Sequence, residues 1–293
     1  MATLRDIRRR IRSVQSTQKI TRAMKLVAAA KLRRAQERIL AARPYAAKMT
    51  ELLDHLAASA GPEAHPLLER REGARRLVVV IAADKGLAGA FSSNIIRRSL
   101  EFIRESRAAD VTLVLVGRKA RDFYRRRSWA IKRDMIGFWD RLAYAHACEL
   151  ADLLMERYLA RDVDEVHLIY NEFRSVAVQR PVRQQLLPIA HGSAEASADP
   201  GAAIDYLYEP SPAAILGALL PRHVRTQVFR ALMESLAGEY GARMTAMEAA
   251  TRNAKEMIDV LTIQFNKARQ EKITKELLDI VGGAEALKQG AEA

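Results

Sequence analysis

Residues 4–43 read LRDIRRRIRSVQSTQKITRAMKLVAAAKLRRAQERILAAR, a run with neither glycine nor proline. Apolar side chains recur in it by threes and fours: Leu4, Ile7, Ile11, Val14, then Ile20, Met24, Val27, then Ala28, Leu32, Ala35, Ile39, Ala42. On a 3.6-residue helix that spacing makes one narrow apolar seam, the pattern of a long helix packed on a single partner. Thr3 followed by Asp6 reads as an N-cap with an acid in the first turn. Pro44 is expected to kink or loosen the helix. The pattern resumes at Met49, Leu52, Leu53 and Leu56, before Gly61-Pro62 ends it.

The other end of the chain has the same character. Residues 242–281 again lack glycine and proline, and Tyr240, Met244, Met247, Thr251, Ala254, Ile258, Leu261, Phe265 and Ala268 alternate steps of four and three. After a one-residue slip the seam is expected to continue through Ile273, Leu277, Ile280, Ala284 and Leu287; such a slip locally over- or underwinds a coiled coil without breaking it. Gly282-Gly283 is expected to fray the helix near its tip.

Between these helices the period changes. Residues 77–83 (LVVVIAA), 111–116 (VTLVLV) and 166–170 (VHLIY) are short continuous apolar runs separated by helix-like stretches, 94–107 and 139–159. Buried parallel strands with covering helices fit this pattern. A further strand or two is expected in 175–189 and 204–208, with 192–201 as the loop between them. Length then decides the architecture. Helices of about 58 and about 70 residues span roughly 87 and 105 Å, whereas a compact domain of about 150 residues has a radius of gyration near 15 Å. Each terminal helix therefore protrudes and needs a partner, and the simplest partner is the other. The expected fold is a long antiparallel two-helix coiled coil formed by the N- and C-terminal segments, mounted on an α/β domain. Its parts are 1–61, 74–209 and 211–287. Small residues at the seam, Ala28 to Ala30 and Ala249-Ala250, would let the helices approach closely.

Of 293 residues 49% are hydrophobic, enough for a real core, and the formal charge is +13. The first fifty residues hold 14 basic and 2 acidic side chains, and the rest of the chain is close to neutral. Such asymmetry points to an acidic partner for the N-terminal helix. The basic residues ring that helix outside its seam, with no aromatic before Tyr45 to stack on single-stranded bases. The single cysteine, Cys148, leaves no intrachain disulfide and no thiolate cluster. A membrane span, a secretory signal and a transit peptide are not expected.

One loop looks like a ligand site: Ala83-Asp84-Lys85-Gly86-Leu87-Ala88-Gly89-Ala90-Phe91-Ser92. A glycine-rich turn from strand into helix can aim backbone N–H groups at a phosphate. This one matches neither GxGxxG nor GxxxxGK[ST], and a tight turn whose glycines permit close packing is the favoured reading. The six histidines are scattered, and no GxSxG or HExxH motif is present. No catalytic, cofactor-binding or metal-binding residue is expected. Two other readings stay open on these grounds: a nucleotide-using α/β enzyme and a basic coiled-coil protein that binds nucleic acid.

Residues 4–24 and 27–32 (VAAAKL) closely resemble the N-terminal helix of gamma subunits of F-type ATP synthases. FNKARQ at 265–270, ITKEL at 273–277 and IVGGAEAL at 280–287 are similar to the other half of that family's signature. Between them DKGLAG (84–89), Tyr170-Asn171, QLLP (185–188) and DYLYEP (205–210) also match. The resemblance implies a coiled coil on a Rossmann-like foot acting as the central rotor stalk. The shaft would lie in a ring of three alpha and three beta subunits, with the foot on the c ring and against epsilon. The chain would be present once per complex and would have no catalytic site or cofactor of its own. It would bind no nucleic acid and touch the membrane only indirectly. Its place would be the cytoplasmic side of a bacterial inner membrane.

Residue roles implied by the resemblance follow. Arg269 and Gln270 would latch onto an acidic loop of a catalytic subunit, with Arg supplying a planar fork for carboxylates. Met24 and Lys25 would meet the acidic lever segment of beta. Leu277, Leu278, Ile280 and Val281 would turn in an apolar sleeve. Tyr206, Tyr208 and Glu209 would rest on the c ring. Ala88 stands where many members have Cys, and the Cys pair inserted in the chloroplast form is absent.

Overall fold

The computed structural model describes residues 3–60, 65–105, 110–189 and 211–291. In chain order the elements are α1 (Leu4–Ala60), β1 (Arg75–Ile81), α2 (Phe91–Glu105), β2 (Asp110–Val116) and α3 (Arg118–Tyr124). Next come β3 (Ala130–Met135), a 3-10 turn (Trp139–Arg141), α4 (Tyr144–Leu159), β4 (Glu165–Phe173), β5 (Gln179–Leu187) and α5 (Pro212–Ala291). The chain divides into two compact units, 28–245 and 1–27 with 246–293, and each long helix contributes a part to both.

The larger unit is built on a five-stranded sheet of order β3-β2-β1-β4-β5, parallel except for the antiparallel β4–β5 hairpin. Residues 77–83 are all buried, so β1 reads as a continuous apolar run rather than an alternating one. Its side chains divide by parity between two cores. Leu77, Val79 and Ile81 join α4, α5 and the 28–60 part of α1, while Val78 and Val80 join α2 and α3. α4 presents Ala147, Leu150, Ala151, Leu154, Met155 and Tyr158, one face by threes and fours. In α5, residues 231–240 are buried without exception, so the helix there is enclosed on every side.

Several expectations need correction. Pro44 does not interrupt α1, and Pro221 does not interrupt α5. Buried residues on both sides, Ala35 with Met49 and Leu220 with Val224, hold each helix through the missing hydrogen bond. Gly282-Gly283 does not fray α5, which continues to Ala291. The helical stretch at 139–159 splits into a 3-10 turn and α4. α3 and β3 were not anticipated; β3 is a short edge strand, AIKRDM, whose charges blunt pairing with other chains. The strand expected in 204–208, the loop 192–201 and the Gly61-Pro62 stop lie outside the described residues.

Candidate functional site

In the unit formed by residues 1–27 and 246–293, Thr3 caps α1 as its sequence implied. The Asp6 N–H donates to Thr3 Oγ1 (3.2 Å) and the Thr3 hydroxyl donates to Asp6 Oδ2 (2.7 Å). The Thr3 hydroxyl and the Thr3 N–H (3.2 Å), both donating to Oδ2, hold the Asp6 carboxyl below its ordinary value. Three contacts fix the pairing of the helices. Arg8 lies over the Phe265 ring (5.3 Å), Thr21 and Thr251 share a hydroxyl hydrogen bond (2.8 Å), and Lys25 Nζ donates to Glu248 Oε1 (2.7 Å). Numbers rise on one helix as they fall on the other, so the pair is antiparallel.

On α5 the seam falls where its spacing placed it: Met247, Thr251, Ala254, Ile258, Leu261, Phe265 and Ala268 are shielded, with the small Ala249 and Ala250 half-buried beside them. On α1 it differs. The shielded set runs Ile7, Ile11, Val14, Gln18, Thr21, Met24, whereas Ile20 and Val27 are each 57% exposed. Unbroken steps of three and four pass through Gln18 and Thr21, and following apolarity instead of spacing leads off the face. Ile20, Leu26 and Val27, with Met257, Val260 and Ile263, thus form exposed apolar positions that sequence reasoning did not assign to a site.

The continuation of the seam beyond Ala268 is also corrected. α1 begins at Leu4 and its Arg8 is already opposite Phe265, so farther along α5 there is no α1 left to pair with. Ile273 and Ala284 are exposed, and Leu277, Leu278, Ile280 and Val281 are 57–68% exposed. The side chain of Leu287 lies outside the described residues. From 269 to 291 α5 extends for roughly 33 Å at 1.5 Å per residue. Arg269 and Gln270, both exposed, stand where this segment begins. Met24 and Lys25 are half-buried, and Lys25 is engaged by Glu248. Around α1, Arg12, Lys19 and Arg22 are exposed and pair with no carboxylate among the described residues, while Arg10 acts with Arg9 on Asp6. Tyr206, Tyr208 and Glu209 lie outside the described residues.

In the larger unit the loop after β1 is tied down rather than open. Asp84 Oδ1 accepts the Arg118 N–H (2.9 Å) and Oδ2 the Gly137 N–H (2.8 Å), so a carboxylate of the loop takes backbone donors at the ends of β2 and β3. Lys85 bonds Asp140 Oδ2, and Lys31 of α1 bonds Asp140 Oδ1 (2.7 Å). These two lysines hold the Asp140 carboxyl at about 2. Trp139 Nε1–H donates to Ala82 O (3.0 Å), and Arg243 Nη2 donates to Gly86 O (3.3 Å) while paired with Glu239. Burial pushes the Glu239 carboxyl above its ordinary value, and Arg243 pulls the other way. Leu87 takes a left-handed φ of 63° and Gly89 one of 55°, which turn the chain into α2.

An α/β sheet of this order opens its ligand crevice where strand order reverses, here outside the carboxyl ends of β1 and β4. α5 fills that place. An added Cβ at Gly238 would lie 3.2 Å from Phe91, 3.4 Å from Gln179 and 3.6 Å from Asn171. The Asn171 N–H reaches Ser235 Oγ (3.5 Å), and its side-chain amide reaches Phe91 O (3.5 Å). No cluster of three His, Cys, Asp or Glu placed to hold a metal occurs among the described residues.

Among the described residues, then, a coiled coil whose second helix runs on past its partner stands beside a sheet whose crevice is closed by one of its own helices. The family model described as ATP synthase matches residues 3–287. The ATP synthase gamma chain of Anaeromyxobacter sp. (strain Fw109-5) is 53% identical over 293 residues, covering 98% of this chain and 100% of that one. The gamma chain of Desulforamulus reducens is 48% identical over 288 residues, with the same coverage. The chain belongs to the ATP synthase gamma chain family. Among solved structures, the Euglena gracilis mitochondrial ATP synthase OSCP/F1/c-ring assembly contains a chain of the same fold, with TM-score 0.72, 20% identity, and coverage of 99% of this chain and 96% of that one. A central stalk/c-ring structure from Tetrahymena thermophila matches with TM-score 0.59 and 24% identity, over 79% of this chain and 99% of that one.

Proposed function

We propose that this chain is the central rotor stalk of an F-type ATP synthase. Proton flow turns a c ring, the ring turns the α/β foot, and the coiled coil turns within three alpha and three beta subunits. One asymmetric shaft facing three chemically equal sites contacts each differently, and differential contact energy is what shifts their nucleotide affinities in sequence. Catalysis stays in the beta subunits. The observation that carries this reading is the end of α5, which runs on past its partner with apolar, exposed Leu277, Leu278, Ile280 and Val281. Apolar side chains make no directional bonds, so these four suit a bearing that must not stall.

Arg269 and Gln270 latch an acidic loop of a catalytic subunit. Met24 and Lys25, flanked by exposed Ile20, Leu26 and Val27, meet the lever segment of beta. The exposed Arg12, Lys19 and Arg22 face acidic neighbours, as charge complementarity requires. Tyr206, Tyr208 and Glu209 rest on the c ring beside epsilon. No helix among the described residues is long and apolar enough to cross a membrane. The chain is held to the inner face of a bacterial plasma membrane through the c ring, one copy per complex. Purification from source membranes tests this: alpha, beta, epsilon and c should copurify with the chain, and its recovery free of all four would refute the reading.

A further inference from the structure

The loop at 83–92 has no part in the roles above, yet three successive residues of it join four other elements. Asp84 holds the backbone at the ends of β2 and β3 through Arg118 and Gly137. Lys85 shares the Asp140 carboxylate with Lys31, which ties the loop to α1. Gly86 gives its carbonyl to Arg243, which ties it to α5. Around these links the packing is apolar: Leu32 and Ala35 of α1 and Met233 and Leu236 of α5 join the core that holds Trp139 and Leu142.

Apolar packing resists separation and, being interdigitated, deformation as well, but it carries no directional bond of its own. Hydrogen bonds and ion pairs are directional. From this difference we infer that the loop is a torsional clasp, a polar joint that grips both long helices at once, with Asp140 as its positioning residue. A glycine-rich turn suits the task because Lys85 and Gly86 leave the sheet together and reach toward α1 and α5, while the left-handed Leu87 and Gly89 return the chain to α2. The inference rests on the rotor reading, since a foot that bears no torque needs no such joint.

Asp140 is half-exposed, and half-exposed ion pairs contribute little to stability, so Asp140→Asn should leave the chain folded. The test uses the assembled complex with its alpha and beta subunits fixed to a surface and a probe on Ser128→Cys, an exposed foot position, in a Cys148→Ala background. The readout is the angular variance of the probe during catalytic pauses. In Asp140→Asn it should widen about twofold, because the loop's ion-paired link to α1 is lost and mean-square displacement grows as restraint falls. Asp140→Glu should restore most of the stiffness, and Lys85→Met, which breaks only the loop's arm, should widen the variance as well. Parental variance in both Asp140→Asn and Lys85→Met overturns the clasp, as does Asp140→Glu behaving like Asp140→Asn. If Asp140→Asn fails to assemble, Lys85→Met decides alone. A parental probe that never turns contradicts the rotor reading itself, whereas a turning parent with unchanged variants contradicts only the clasp.

Discussion

The same two helices behave as different materials in the two units. Between residues 231 and 240, α5 is buried on every side, in contact with a sheet and closing its crevice. Beyond Ala268 the same helix exposes every described side chain, including Leu277 and Ile280. Burial, rather than helix propensity, separates a part that must hold its shape from a part whose surface is left for other chains.

The largest effect should come from repeating one substitution in both regions. Leu232→Ala removes a fully buried side chain and should cost about 2–5 kcal/mol. Leu278→Ala, at a position 65% exposed, should stay within about 0.5 kcal/mol. Denaturant midpoints measure both, and equal losses would break the comparison. Gly238→Val comes next. Its new side chain meets Phe91 and Asn171 in the closed crevice and should cost about 1–3 kcal/mol by overpacking. If that variant is as stable as the parent, α5 does not fill the crevice as described.

Thr21→Val loses the only cross-helix hydroxyl bond among the described residues, at about 0.5–1.5 kcal/mol. Hydrogen exchange in residues 10–25 should quicken while the sheet stays protected, which would sharpen the division into two units. A pH effect belongs to the foot. Burial lowers the pKa of His167 below 6.5, with Glu165 opposing. The unfolded chain therefore binds this proton before the folded one does, and stability should fall as pH drops through 6.5 towards the folded value. Burial also lowers His65 and His223, which add slopes of the same sign. The melting curve of His167→Asn against pH should accordingly be flatter than the parent's but not flat. Smallest in stability is Arg269→Ala, exposed and past the paired seam, at no more than about 0.5 kcal/mol. Its effect should appear instead as weaker ATP-driven proton pumping in a reconstituted complex, and unchanged pumping would remove Arg269 from the latch.

What was legible in the sequence had a period. The α5 seam from Met247 to Ala268 and the apolar strands were recoverable because steps of three and four, or short continuous runs, declare which side is covered. Ile20 and Val27 misled because apolar character outweighed spacing, while Gln18 and Thr21 held the face. Ile273 and Leu277 misled for another reason: periodicity says that a stripe exists but not whether this chain supplies its partner. β3 offered only Ala130, Ile131 and Met135 among its six residues, too weak a pattern for a strand defined by its neighbour β2. The clasp was hidden altogether, since Lys31, Lys85 and Asp140 are far apart in sequence and only the fold brings them together.

The most direct measurement is rotation itself. With alpha and beta subunits anchored and a probe on Ser128→Cys, addition of ATP should turn the foot in one direction with three equivalent pauses per revolution, one for each catalytic site. ATP hydrolysis that proceeds while the probe stays still, or turns at random, would contradict the account.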